Sequence, residues 1–386
     1  MFAPAYNFVA MRSYAPVVCL LLAACAQAPV VPPEDLFRDE LFAAPSQAIR
    51  ADEIFALSEP MKRYVQELDR EFRRKGMRQA LVEAVAGGQL KLEYDAALTR
   101  TAAQAFEARS GNCLSLTIMT AAFAKALQFD VYYNVADVDM WSRTENIYFL
   151  NVHVNVSLAR RLSDARTTYD AASMTIDFLP GQEIVGLRTK EVDEPTIVAM
   201  FMNNRAAEML VAGRLDDAYG WAREAVRQGS AFMGAYNTLG VVYLRRGEPA
   251  MAERVFRRVL AAEPENTRAL ANRALALGRL GRQVEAAAAE RELARLERYA
   301  PFHFFQRGLA AMEAGDYATA RALFQKELDR DPDYHEFHFW LGLAELRLGN
   351  VDKASGEVRL ALQNSTSRRD HELYAAKLQR LAALRR

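Results

Sequence analysis

Cys113 in Ser110-Gly-Asn-Cys-Leu-Ser-Leu-Thr117, His153, and Asp177 in Thr175-Ile-Asp-Phe-Leu-Pro180 are the residues whose types and order suit nucleophilic chemistry. A cysteine attacks a carbonyl as thiolate, so it needs a base beside it, and the base needs a third group to hold its ring. The supply is short. Of 3 cysteines, Cys19 and Cys25 fall in or at the end of an N-terminal targeting segment, which leaves Cys113. Of 5 histidines, His153 alone shares the N-terminal half with that thiol. The order Cys, His, Asp sets the first expectation.

Helices and then strands must position these groups. Ile54, Phe55 and Leu57, then Met61, Tyr64, Val65 and Leu68 recur at threes and fours, which predicts helix within 52–86. A second helix runs through Thr101 to Glu107, and Ser110-Gly111-Asn112 then supplies turn and N-cap residues. From Cys113 to Leu127 the chain is a nearly uninterrupted apolar helix, buried all round. Cys113 then sits on its first turn, where unpaired amides and the helix dipole favour thiolate and can hold a developing oxyanion. In Asn146–Val156 a period of two puts Asn151, His153 and Asn155 on one face and Leu150, Val152 and Val154 on the other. Asp177 faces opposite to Ile176 and Phe178 in a later strand; antiparallel pairing of the two strands would set His153 beside Asp177. Trp141, placed in the loop before the histidine strand, is a candidate wall of a substrate cleft, with core packing the equal alternative.

The C-terminal half is periodic. Glycines stand at 213, 247, 281, 315 and 349, a step of 34, each followed five residues later by alanine and preceded by seven residues by alanine or glycine. This pattern resembles the tetratricopeptide repeat, most fully in Tyr236-x-x-Leu239-Gly240-x-x-Tyr243 with Ala252, Phe256 and Pro264. Five repeats are expected over 199–368, the unit from Thr267 to Ala300 being degenerate, with a capping helix over 371–386. Such arrays bind proteins or peptides, and Asn203, Asn237, Arg245 and Arg279 are the candidate contacts on the first-helix surface. A solvated polar face is the equal alternative. His335 and His338 have i, i+3 spacing, but without a cysteine or carboxylate pattern they read as packing, and no metal is expected.

Composition narrows the partners. Lys and Arg number 49 against 49 Asp and Glu, so bulk charge does not favour nucleic acid. At the front, Arg12 precedes an apolar run, and Leu22-Ala-Ala-Cys25 resembles a bacterial lipobox. The run is shorter than the roughly 20 residues of a bilayer span. The expectation is a signal peptide over 1–24, lipid on Cys25, a tether over 25–50 and a domain over 51–190. Ala26 and Gln27 lack the aspartate that, by resemblance to other bacterial lipoproteins, retains them at the inner membrane. That points to the outer membrane facing the periplasm.

Thr101-Ala-x-x-Ala-Phe106, Arg109-Ser-Gly-Asn-Cys-Leu-Ser-Leu-Thr117, His153-Val-Asn-Val156 and Ile176-Asp-Phe178 resemble the bacterial transglutaminase-like family, a branch of the papain-like cysteine peptidase fold. The resemblance covers roughly 50 to 190. It implies an α+β papain-like domain ahead of an all-α tetratricopeptide-repeat solenoid, with Cys113 as nucleophile, His153 as general base and acid, and Asp177 as orienting acid. It implies no cofactor. One position departs: where papain-like peptidases carry an oxyanion glutamine six residues before the nucleophile, this chain has Glu107, which leaves the second oxyanion donor unassigned. The expected function is a membrane-anchored cysteine hydrolase, a peptidase or amidase, whose repeats recruit a protein. An amine-accepting transglutaminase and a catalytically inactive envelope scaffold stand as the alternatives.

Overall fold

The computed structural model describes residues 34–75, 83–85, 90–96, 98–144, 147–159, 174–178, 189–296 and 302–384. The segment expected to be a signal peptide, with Cys25, lies outside the described residues, as does the side chain of Trp141. Among the described residues no helix is long and apolar enough to cross a membrane.

An α+β region comes first. Helix α1 (Glu59–Lys75) begins later than the periodicity predicts. Pro60 explains the start, because proline fits a first turn but disfavours helix in the residue before it; the preceding Ala51–Glu53 forms only a short 3-10 turn. Strand β1 (Glu93–Tyr94) pairs in parallel with β2 (Ser110–Gly111). Between them α2 (Ala102–Ala108) opens on a capping box, Thr101 accepting from the Gln104 amide and Gln104 from that of Thr101, and ends at Arg109 with φ 54°. Helix α3 (Cys113–Ala126) follows, buried from Cys113 through Ala124.

A four-stranded sheet lies against α3. It consists of β3 (Asp130–Thr144), β4 (Ile147–Ala159), β5 (Met174–Ile176) and β6 (Thr189–Val192) in the order β5-β4-β3-β6, with every neighbouring pair antiparallel. Trp141 lies on β3, opposite Leu150, and not in a loop. The β3–β4 ladder is interrupted at the histidine: Ala136 pairs with His153, but the next pair is Asp139 with Val152. Extra residues of this kind twist a strand locally and re-aim side chains.

Helices then stack in pairs: α4 (Glu194–Val211) with α5 (Leu215–Gln228), α6 (Met233–Arg246) with α7 (Pro249–Ala262), and α8 (Thr267–Arg279) with α9 (Gln283–Leu296). Two further pairs are α10 (His303–Glu313) with α11 (Tyr317–Leu328) and α12 (His335–Arg347) with α13 (Val351–Gln363). The glycines spaced by 34 lie between the members of each pair, with φ from 72° to 89°, the left-handed turn that glycine adopts most readily. At Gly240 and Gly308 the demand is steric, since a Cβ would run into the Phe256 ring at the first and stand 2.5 Å from Phe324 at the second. In the degenerate unit Arg273, which stands where leucine is expected, bonds Glu253 of α7 at 3.1 Å, a carboxylate only 4% exposed. The last helix, α14 (Arg368–Leu384), caps the array by burying Tyr374 and Leu381 beside Phe339 and Val358.

The segment expected as a tether is, over its described part, no free linker. Residues from Glu34 onward lie across α5, α6 and α7 like a bound peptide. Leu36 and Phe37 are buried, Phe42 stacks on Tyr219 with ring centroids 3.9 Å apart, and the Leu36 carbonyl accepts from the buried Tyr243 hydroxyl at 2.7 Å. Charge complements this packing: Asp35, Asp39 and Glu34 pair with Arg254, Arg223 and Arg227. The Ser46 amide donates to Asp217 at 2.6 Å. The sequence of this strap, Glu34-Asp-Leu-Phe-Arg-Asp-Glu-Leu-Phe42, sets apolar anchors between acidic residues.

Candidate functional site

The start of α3 is fixed before any side chain reacts. Asn112 accepts from the Ser115 amide at 2.9 Å and from the Ser115 hydroxyl at 2.7 Å, and that hydroxyl accepts in turn from the Arg100 amide at 2.8 Å. The Asn112 amide group donates to Thr99 at 3.0 Å, while the Thr99 backbone N–H donates to Glu208 of α4 at 2.7 Å. A helix of the array thus buttresses the cap of the helix that carries the thiol. Gly111 is the tight point: a Cβ there would lie 2.7 Å from the Ser115 Cβ. Gly111→Ala is expected to cost about 1–3 kcal/mol through overpacking, read as a lower denaturation midpoint at unchanged m-value.

Cys113 is buried at 6% exposure and not in a disulfide. His153 is fully buried on β4, and its Nε2 donates to Asp177 Oδ2 at 2.7 Å. The pairing of β4 with β5 brings them together, for Ile176 lies opposite Val156 and Asp177 follows directly. Asp177 Oδ2 also accepts from Asn155 Nδ2 at 2.9 Å, and Asn155 Oδ1 is held by Asn134 at 3.0 Å. The carboxylate is therefore oriented from two sides. His153 Nδ1, by contrast, is buried without a conventional hydrogen bond, although Cys113 interacts with the ring. An imidazole with one nitrogen fixed by a carboxylate and the other open toward a thiol can exchange a proton with that thiol.

Electrostatics favours the charged ring. Burial alone pushes the His153 pKa down, but the hydrogen bond to Asp177 and the interaction with Cys113 outweigh it and raise the value to about 9. The sign has a consequence for stability. A group whose folded pKa exceeds its unfolded value of about 6.5 stabilises the fold fully below that pH and loses the contribution as pH rises through about 9. The shift corresponds to on the order of 3 kcal/mol. Denaturant midpoints of the wild type should fall between pH 7 and pH 10 more steeply than those of His153→Gln; equal slopes would contradict the raised pKa.

Tyr94 completes the surroundings of the thiol, and the sequence offered no sign of it. Its hydroxyl lies against both the backbone amide and the side chain of Cys113, and desolvation with the nearby thiol and Asp177 keeps its pKa well above 10. Asp95 follows, donating its amide to the Gly111 carbonyl at 3.0 Å, and the Ala96 amide donates to Thr366, between α13 and α14, at 2.9 Å. The loop after Tyr94 is therefore gripped by both ends of the array, through Glu208 and Thr366.

The other expected residues are dispersed. Glu107 is exposed and lines a cavity of about 450 Å³ with Arg50, Arg100, Arg205 and Trp221; Cys113, His153 and Asp177 do not line it. Arg279 donates to the Leu244 carbonyl at 2.7 Å and Asn237 accepts from Asn272 at 3.2 Å, so both serve packing between repeats. Asn203 Oδ1 is buried without a hydrogen bond, and Arg245 is exposed. His335 is hydrogen-bonded to Tyr374 at 2.8 Å and Thr366 at 3.1 Å, and His338 to Glu357 and the Pro332 carbonyl, both at 2.7 Å. Among the described residues no group of three or more metal-binding side chains is assembled.

Comparison with known proteins assigns the repeats. The tetratricopeptide-repeat family model matches residues 237–301 and 305–368, so the C-terminal half carries tetratricopeptide repeats. Solved structures with this likeness include a thermophilic repeat protein of Thermus thermophilus, at 20% identity over 47% of this chain and 99% of that one, with a TM-score of 0.28. YrrB, described as a repeat protein with an unusual peptide-binding site, is 21% identical over 47% of this chain and 92% of its own, with a TM-score of 0.26. PilF of Pseudomonas aeruginosa is 20% identical over 50% and 90%, with a TM-score of 0.27. No curated protein matches.

Proposed function

We propose that the α+β region is a transglutaminase-like, papain-like cysteine acyl-transfer domain that acts on an amide bond, and that the repeats behind it recruit a protein or peptide. The observation that carries this reading is the state of His153: one ring nitrogen bonded to Asp177 at 2.7 Å, the other buried and unpaired, with Cys113 at the start of α3 acting on the ring. In the reaction the Cys113 sulfur attacks the carbonyl carbon, and its proton resides on His153. The carbon–nitrogen bond then breaks, His153 returns the proton to the leaving amine, and a thioester stays on Cys113. Water resolves it to an acid, with His153 taking a proton from the water, or an amine resolves it to a new amide. Abundance of water favours the hydrolase. Asp177, steadied by Asn155, keeps Nε2 protonated and the ring aimed throughout.

Reactivity of the thiol tests this directly. Iodoacetamide should label Cys113 at pH 7 faster than it labels the same residue in the urea-unfolded chain, as read by peptide mass spectrometry; an equal or slower rate would remove the enzyme reading and leave the scaffold.

The array supplies the recruiting surface because stacked helix pairs offer extended faces. The strap already covers α5, α6 and α7 through Arg223, Tyr243 and Arg254, whereas Arg245 of α6 is exposed and open to a partner. The lipobox reading places the protein in the cell envelope, held by lipid on Cys25 at the outer membrane. Only 8 residues lie between Cys25 and Glu34, at most about 30 Å of chain. Cys25→Ser should release the protein from membranes; unchanged membrane association would sink the anchor.

A further inference from the structure

A cysteine acyl-transfer site needs donors for the oxygen that becomes negative when the carbonyl is attacked, and removing one such donor typically slows the step about 10²–10³-fold. The Cys113 amide is one donor by position. Glu107, where a second would be sought from sequence, is excluded on two counts: a carboxylate accepts and does not donate, and this residue is exposed along a cavity that the thiol does not line.

The pairing of β1 with β2 sets Tyr94 level with Gly111, two residues before the nucleophile. The Glu93 amide donates to Arg109 at 2.9 Å and the Asp95 amide to Gly111 at 3.0 Å, so the backbone on both sides of Tyr94 is pinned to the strand leading into α3. From there its hydroxyl meets the amide and side chain of Cys113, within reach of the oxygen of a carbonyl whose carbon the sulfur attacks and whose oxygen that amide holds. We infer that Tyr94 is the second oxyanion donor, its hydroxyl standing with the Cys113 amide against the tetrahedral intermediate, an inference that rests on the acyl-transfer reading above. Its role is catalytic because it touches the reacting groups. As the tetrahedral centre forms, the carbonyl π electrons move onto oxygen, the Tyr94 hydroxyl hydrogen-bonds that oxygen without transferring its proton, and the bond relaxes when the leaving group departs. Burial and the neighbouring acids keep the phenol protonated across the working pH range.

Two probes separate this role from simple activation of the thiol. Acylation by p-nitrophenyl acetate passes through an oxyanion, whereas alkylation by iodoacetamide displaces iodide and forms none. In Tyr94→Phe, acylation of Cys113 should slow about 100-fold while alkylation changes less than about threefold. Glu107→Gln should leave both rates unchanged. Equal slowing of both probes would make Tyr94 a positioning residue for the thiol, and no slowing, or a faster reaction, would make it a cover over the site; each result overturns the inference. Should Tyr94→Phe fail to fold, 3-fluorotyrosine at position 94 keeps the shape and strengthens the donor, and acylation must then quicken while alkylation stays level. Failure of the underlying reading looks different: wild-type Cys113 would react with neither probe faster than in the unfolded chain.

Discussion

His153→Ala is expected to slow alkylation of Cys113 at pH 7 by roughly tenfold or more and to abolish its acylation. Thiolate is the attacking form, so loss of the partner that accepts the proton leaves the sulfur without a base. His153→Ala also strips the buried Asp177 of its imidazole and leaves Asn155 to hold the carboxylate, so the fold needs its own check by circular dichroism. Asp177→Asn preserves the packing but removes the charge that favours imidazolium, and should retain part of the alkylation rate while losing the raised pKa of His153. Alkylation as fast in His153→Ala as in the wild type would disprove the pairing.

The second large effect lies at the strap. Phe37 is 7% exposed beneath Arg227, and Phe42 stacks on Tyr219. Truncating a buried phenylalanine to alanine costs about 3–5 kcal/mol, and the half-buried Phe42 somewhat less. Phe37→Ala combined with Phe42→Ala should therefore lower stability by several kcal/mol and open Arg38 and Arg50 to trypsin. The strap would detach before the repeats melt, because α5 to α7 keep their own core of Tyr236, Leu239, Val255 and Phe256. A double variant with wild-type midpoint and wild-type tryptic pattern would show that residues 34–50 are the tether that their position suggests.

Parts of this structure could be read in advance because their signals are local. The repeat glycines declare themselves by a step of 34, and each takes the positive φ that a tight helix–helix turn requires. Asn112 before an apolar run marks the start of α3, and period-two alternation puts His153 and Asn155 on one face of β4. Other parts depend on contacts between distant segments. Tyr94 lies on a strand of two residues, too short for any periodicity, and matters only because β1 pairs with β2. The strap looked like a linker since its anchors, Leu36, Phe37 and Phe42, face tyrosines and arginines some 180 residues away, as in the bond from the Arg38 amide to Tyr219. Helix α1 starts at Glu59 and not near residue 52 because Pro60 overrides the apolar spacing before it. Arg279 and Asn237 read as free surface contacts, yet each is tied to an adjacent repeat, Arg279 to the Leu244 carbonyl while staying exposed and the half-buried Asn237 to Asn272.

If Cys113, His153 and Asp177 form a site able to hold an acyl group, that group can be caught on the sulfur. The protein is mixed with p-nitrophenyl acetate, quenched within the burst and digested with trypsin, and the peptide Ser110–Lys125 is weighed. A thioester on Cys113 should form quickly, decay as water resolves it, and be absent in His153→Ala. A wild-type peptide acylated no faster than that of His153→Ala would contradict the triad.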